Sequence, residues 1–187
     1  MDWGIRLGML GRFERAVERF EQAVNAEPED SGAHYNLALA LDEAGRHDDS
    51  ISAYERAKKL SPEASDITNN LAVALLAVGQ QGPAAEALRA AIDADPDDPV
   101  PHYNLACLYY QQSKWSLAVT EFRTAANKDP KDAQTRFNLA LALRRAGTAG
   151  DAERELRGFL ALVRGRYLEQ REYATRLLSE EYCEAGA

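Results

Sequence analysis

The chain has 187 residues, 45% of them hydrophobic and 28% charged, the balance of an ordinary folded protein and not of a disordered or disulfide-bound one. Thirty acidic residues against 22 basic ones give a formal charge of −8, which argues against a general nucleic-acid footprint. The longest apolar run, Leu71 to Val78, is far short of the about 20 residues of a membrane-spanning helix, and Met1-Asp2-Trp3 opens neither a basic nor an apolar signal region.

A 34-residue interval organises the chain. Pro28, Pro62, Pro96 and Pro130 follow it, as do Gly11, Gly45, Gly79 and Gly147, with Ser113 in the fourth slot of the glycine column. The units fall at about 1–30, 31–64, 65–98, 99–132 and 133–166. Unit one carries Trp3-Gly4 and Leu7 where the later units carry Leu37-Ala38, Leu71-Ala72, Leu105-Ala106 and Leu139-Ala140, with Leu41, Leu75, Tyr109 and Leu143 four residues past each leucine. After the glycine comes a small-residue column, Ala16, Ser50, Ala84, Ala118 and Ala152, and four residues later a bulky one, Phe20, Tyr54, Leu88, Phe122 and Leu156.

Apolar residues at i, i+3/i+4 on both sides of the glycine predict two antiparallel helices per unit. The glycine supplies the left-handed turn that ends the first helix, the small columns let the helices approach to about 8–10 Å, and the proline marks the exit. A second glycine, Gly82 in unit three and Gly150 in unit five, predicts a longer turn and a delayed second helix. Leu168, Tyr173, Ala174, Leu177 and Leu178 predict an amphipathic capping helix over 167–182, with 183–187 frayed.

Leu105, Ala106, Tyr109, Ala118, Phe122 and Pro130 of unit four follow the tetratricopeptide signature W-x2-L-G-x2-Y, A-x3-F and P in degenerate form, and the pattern as a whole resembles the tetratricopeptide repeat. The tryptophan slot holds His34, Thr68, His102 and Arg136, and Arg164 stands where unit five would have its proline. The resemblance implies an all-α right-handed helical solenoid of about five repeats plus a capping helix, forming a single domain over 1–182.

Packing accounts for all of these columns, so function has to be sought on the opposite side of the first helices. At about 100° per residue that side carries Asn36 and Leu39, Asn70 and Val73, Asn104 and Cys107, Asn138 and Leu141, flanked by Tyr35, Tyr103, Tyr110 and Phe137. An asparagine offers one acceptor and two donors, so a ladder of them can pair with the backbone of an extended peptide. The same side chains could instead hydrogen-bond between neighbouring first helices, and the aliphatic and aromatic residues could pack between repeats. In tetratricopeptide proteins that grip extended peptides, asparagines at this position touch the ligand, which the resemblance extends to Asn36, Asn70, Asn104 and Asn138. Arg144 and Arg145 could receive a carboxylate or phosphate. The lysine, asparagine and arginine clamp of the chaperone-tail subclass is absent, since only its shared asparagine survives here.

Acidic residues Asp2, Asp42, Glu43 and Asp66 gather toward one end of this face and Arg136, Arg144, Arg145 and Arg171 toward the other, a polarity that could orient a peptide. His34 and His102 stand two units apart without a second ligand at helical spacing, so capping or surface roles are expected and no metal. Neither a phosphate loop, a dinucleotide fingerprint nor a nucleophile elbow occurs, so no catalytic residue and no cofactor are expected. Cys107 and Cys183 belong to no CxxC or Cys/His cluster, which points to reduced thiols and a cytoplasmic location. The expected function is a non-enzymatic module that binds a protein or peptide in a concave groove, without nucleic acid or membrane insertion. A self-assembling scaffold, hence a homo-oligomer, and a targeting module cut from a larger enzyme are the alternatives.

Overall fold

The computed structural model describes residues 3–163 and 165–184, with side chains for 12–163 and 165–178. Asp2 and Arg164, and the side chains of Trp3, Leu7 and Cys183, therefore lie outside the described residues. Those residues form helices and no strand, in two compact units, Met1–Pro96 and Asp97–Ala187.

The first unit starts with α1 (Trp3–Ala26), followed by two helical hairpins, α2 (Ser31–Glu43) with α3 (His47–Leu60) and α4 (Ser65–Ala77) with α5 (Gln81–Ala94). The second has α6 (Pro99–Gln111) with α7 (Trp115–Lys128), α8 (Ala133–Arg145) with α9 (Ala149–Leu162), and closes with α10 (Leu168–Glu184). Equivalent helices begin at the 34-residue interval read from the prolines. Each hairpin turn has its chain-reversing residue in the left-handed region, Gly45 at φ 76°, Gly79 at 79°, Ser113 at 58° and Gly147 at 80°. There Gly45 N–H donates to the Asp42 carbonyl and Arg46 N–H to that of Leu41, and the pair of bonds recurs in every hairpin, closing the carbonyls that a helix end would leave open. At the other end Asp30, Asp98 and Asp132 accept from Gly32, Val100 and Gln134 N–H, while Ala64 leaves unit three without a side-chain cap.

Ala38 and Ala57, Ala72 and Ala91, Ala106 and Ala118, and Ala140 and Ala152 are buried between the paired helices, as are the bulky Tyr54, Leu88, Phe122 and Leu156. Removing one such large side chain from water contributes about 1.5–3 kcal/mol, and the alanines make the close approach possible.

Two expectations fail here. The chain runs helical through Gly11, so the first unit opens with one continuous 24-residue helix where a hairpin was expected. A glycine permits the left-handed turn without imposing it; packing of the second helix back onto the first holds the turn, and an unbroken helix keeps its own backbone bonds. The second misreading concerns Gly82 and Gly150, which sit inside the first turns of α5 and α9, and those helices start in register with α3 and α7. Nothing lies within 4 Å of a Cβ at either glycine, so neither close packing nor a positive φ calls for it.

The closing helix buries Ala174 and Leu177 against Phe137, Leu156, Phe159 and Val163, with Leu178 packed beside them. Leu168 is 66% exposed and does not join this contact.

Candidate binding faces of the first helices

Within each unit the first helices of neighbouring hairpins are tied by one repeated bond. Asn70 Nδ2 donates to the Tyr35 hydroxyl at 2.8 Å, and Asn138 Nδ2 donates to the Tyr103 hydroxyl at 2.9 Å. Of the two uses open to these asparagines, the bond between neighbouring helices is therefore present in both units. Asn138 Oδ1 also accepts from Gln134 Nε2 at 3.3 Å, and each of the two amides carries a second N–H beyond the one given to tyrosine. Asn104 is half-buried with a polar partner of its own, and Asn36 is exposed.

The aromatic residues divide. Tyr35 leans on Tyr54 with ring centroids 6.0 Å apart, and Tyr103 stands edge-on to Phe122 at 5.6 Å. Burial, with the nearby Asp66 charge adding to it, pushes the Tyr35 hydroxyl above its ordinary pKa. Tyr103 is raised further, by burial and by its contact with Cys107, whose own thiol burial pushes up. Tyr110 is half-buried and edge-on to Trp115 at 4.9 Å, leaving part of its ring open. Phe137 does not belong to the face: it is 7% exposed, packed on Phe159 at 5.0 Å and Tyr173 at 6.3 Å, so a ligand cannot reach its ring. Its sequence position lies one residue before the asparagine, where Tyr35 and Tyr103 stay half-buried; the capping helix α10 brings Tyr173 over it.

Cavities open where these residues meet. In the first unit Leu39, Asp42, Glu43, His47, Asn70 and Val73 surround one of about 470 Å³, whose wall is continued by Tyr54, Ala74 and Ala77. Leu39 and Val73 in its lining are 37% and 44% exposed, a large exposure for aliphatic side chains. In the second unit Cys107, Tyr110, Gln111, Phe122, Asn138 and Leu141 surround about 160 Å³. Each of these six lies two repeat lengths beyond a residue of the first cavity, so the fold builds the same hollow twice and fills it with different chemistry. Beside the second, Tyr110, Leu141, Arg144, Arg145 and Tyr173 line a further 320 Å³. Arg145 lies over the Trp115 ring at 5.9 Å, an arrangement that fixes a guanidinium without neutralising it.

Sequence reasoning passed over the polar cluster under the first cavity. Asp42 accepts from the Ser50 hydroxyl at 2.5 Å, approaches His47 Nδ1 at 3.2 Å and takes a further bond from the buried Tyr54 hydroxyl, which burial and that carboxylate push well above its ordinary value. In the sequence Ser50 reads as a small residue and Tyr54 as a bulky one; the spacing of Asp42, His47, Ser50 and Tyr54, five, three and four residues across the turn, is the available signal. His34 and His102 are buried, not superficial. His34 Nε2 meets the Pro28 carbonyl at 2.9 Å and His102 Nδ1 meets Glu121 at 2.8 Å, and Arg136 at the same repeat position binds both the Pro130 carbonyl and Glu155. Three of the four residues in this column are thus bonded to a carbonyl or carboxylate, while His102 Nε2 is buried without a partner among the described residues.

The family model described as tetratricopeptide repeat matches residues 1–65, 42–99 and 103–164. The chain belongs to the tetratricopeptide-repeat family. No curated protein matches it in sequence. Among solved structures, MamA 41-end from Desulfovibrio magneticus RS-1 is similar at 20% identity and TM-score 0.74, over 88% of this chain and 94% of that one. YrrB, titled a TPR protein with an unusual peptide-binding site, is similar at 19% identity and TM-score 0.71, over 88% and 91%. Yeast Tom70 is similar at 20% identity and TM-score 0.78, over 92% of this chain and 38% of Tom70. These likenesses establish the repeat fold, and the family establishes a protein-interaction role. No helix among the described residues is long and apolar enough to cross a membrane.

Proposed function

We propose that the first-helix faces of this tetratricopeptide-repeat chain bind extended segments of a partner protein, without catalysis. The observation that carries the proposal is the cavity built twice at equivalent repeat positions, with aliphatic side chains left exposed in it and an asparagine donor at its edge. An ordinary solvated helix face would carry lysine and glutamate there. The likeness to YrrB, a protein with a peptide-binding site, supports the same role. Asn36, Asn70, Asn104 and Asn138 would meet ligand backbone, Leu39, Val73 and Tyr110 would meet side chains, and Arg144 with Arg145 would take an acidic group. Tyr35 and Tyr103 act behind them by holding Asn70 and Asn138. Because the helices are already packed, only the ligand is ordered on binding, and this limits the entropic cost.

Selection of random twelve-residue peptides on the full chain tests this. Selected peptides, once synthesised, should bind Val73→Ser or Leu141→Ser about fivefold to tenfold more weakly than the unaltered chain, in keeping with loss of a partly buried aliphatic contact. Peptides that bind both variants as tightly as the unaltered chain would place binding elsewhere.

A second reading, self-association, is favoured by Leu162, Tyr167 and Leu168, exposed together where α9 joins α10. It requires the sedimenting mass to rise with concentration and Leu168→Glu to abolish the rise.

A further inference from the structure

The two equivalent cavities differ in charge, and the difference has a direction. Where the second unit has Tyr110 and Gln111, the first has Asp42 and Glu43. We propose that the first-unit cavity, lined by Leu39, Val73 and Ala77 and rimmed by Asp42 and Glu43, receives a lysine or arginine side chain of the bound segment. It rests on the binding role proposed above and adds which residue chemistry the first unit selects.

Two further facts support a basic occupant. Asp42 and Glu43 occupy the last turn of α2, the negative end of the helix dipole, where carboxylates are disfavoured. The equivalent turn of α8 carries Arg144 and Arg145, and that of α6 carries no charge. Among the described residues neither carboxylate pairs with a lysine or arginine of the chain: Asp42 is met by His47, Ser50 and Tyr54, and Glu43 forms no ion pair at all. The bonds from Ser50 and Tyr54 hold the Asp42 carboxylate in place. Among the described residues the negative charge at the rim is thus met by no lysine or arginine, and at Asp42 it is fixed on one side.

The walls decide between cations. A hard divalent ion takes six or more oxygen ligands, and this cavity is bounded by Leu39, Val73, Ala74 and Ala77, which supply none from their side chains. A lysine or arginine has an aliphatic stem to lie on those residues and a charged head to reach the rim. The about 470 Å³ of space accommodates such a side chain with room for neighbouring backbone. Glu43 is the discriminating group, because Asp42 is also part of the packed cluster beneath.

The test uses synthetic peptides selected on the full chain from the random library, with each lysine replaced by norleucine or each arginine by citrulline, so that length is kept and charge removed. One such replacement should weaken binding to the unaltered chain about tenfold and to Glu43→Gln less than twofold. Glu43→Gln introduces the residue that the second unit already has at this place, and its unfolding curve verifies that the fold is retained. Selected peptides without a basic residue, or an equal loss in both proteins, would overturn the proposal while leaving peptide binding intact. Failure of the binding role itself looks different: peptides then bind Val73→Ser and Leu141→Ser undiminished.

Discussion

Replacing Asn70 by alanine and Tyr35 by phenylalanine, singly and together, measures the bond that joins α2 to α4. The bond is 2.8 Å long, neutral and half-buried, for which a net contribution of about 0.5–1.5 kcal/mol is expected. Asn70→Ala should lie at the upper end, because it also leaves the partly buried Tyr35 hydroxyl without its donor. Tyr35→Phe keeps the ring packing on Tyr54 and should lie at the lower end. Their coupling should be about 1 kcal/mol, obtained from urea unfolding of the four proteins at a common slope. In a stacked repeat this is an interface energy between neighbours, so the variants should also separate the unfolding of adjacent hairpins. A coupling below about 0.3 kcal/mol would refute the strut. So would an Asn70→Ala variant that loses peptide binding at unchanged stability, since the side chain would then serve the ligand alone.

Ser113 holds a left-handed turn at φ 58° that glycine takes in the other hairpins, and an L-residue there is disfavoured by about 1–2 kcal/mol. Allowing for the greater freedom of glycine in the unfolded chain, Ser113→Gly should stabilise by about 0.5–1 kcal/mol, read as a higher urea midpoint. Gly79→Ala should destabilise by a similar amount although nothing lies within 4 Å of the added Cβ. Tyr35, Tyr54 and Tyr103 all have their pKa raised on folding, so the folded state favours the neutral phenol. Their contribution is therefore complete below the ordinary tyrosine value of about 10 and is lost as pH rises above it toward the folded values. The urea midpoint should fall above pH ~10 more gently in Tyr54→Phe than in the unaltered chain.

Much of this protein is local, and local terms are legible in a sequence. The 34-residue interval located the hairpins because each is closed by its own glycine or serine turn and its own alanine contacts, and three of the four by their own aspartate cap, all within one repeat length. The same local rules misread α1, where Gly11 allows a turn that no packing enforces, and Gly82 and Gly150, which the helices absorb.

The candidate site was half legible. Helical angles placed Leu39, Val73, Asn70 and Asn138 on one side of their helices, which geometry within a single helix determines. Whether a residue on that side meets solvent or a neighbour depends on elements far away in the chain. Tyr173 of α10 covers Phe137, and Tyr35 and Tyr103 occupy one donor of the asparagines 35 residues ahead of them. His34, His102 and Arg136 each reach a carbonyl or carboxylate on another segment, partners that no single helix predicts, although His102 Nε2 stays buried without one among the described residues. Periodicity alone determined the repeat and the helices. Only tertiary packing decided that one hollow would recur in two units, carboxylates rimming the first and arginines standing beside the second, because a hollow is made by side chains from three helices at once.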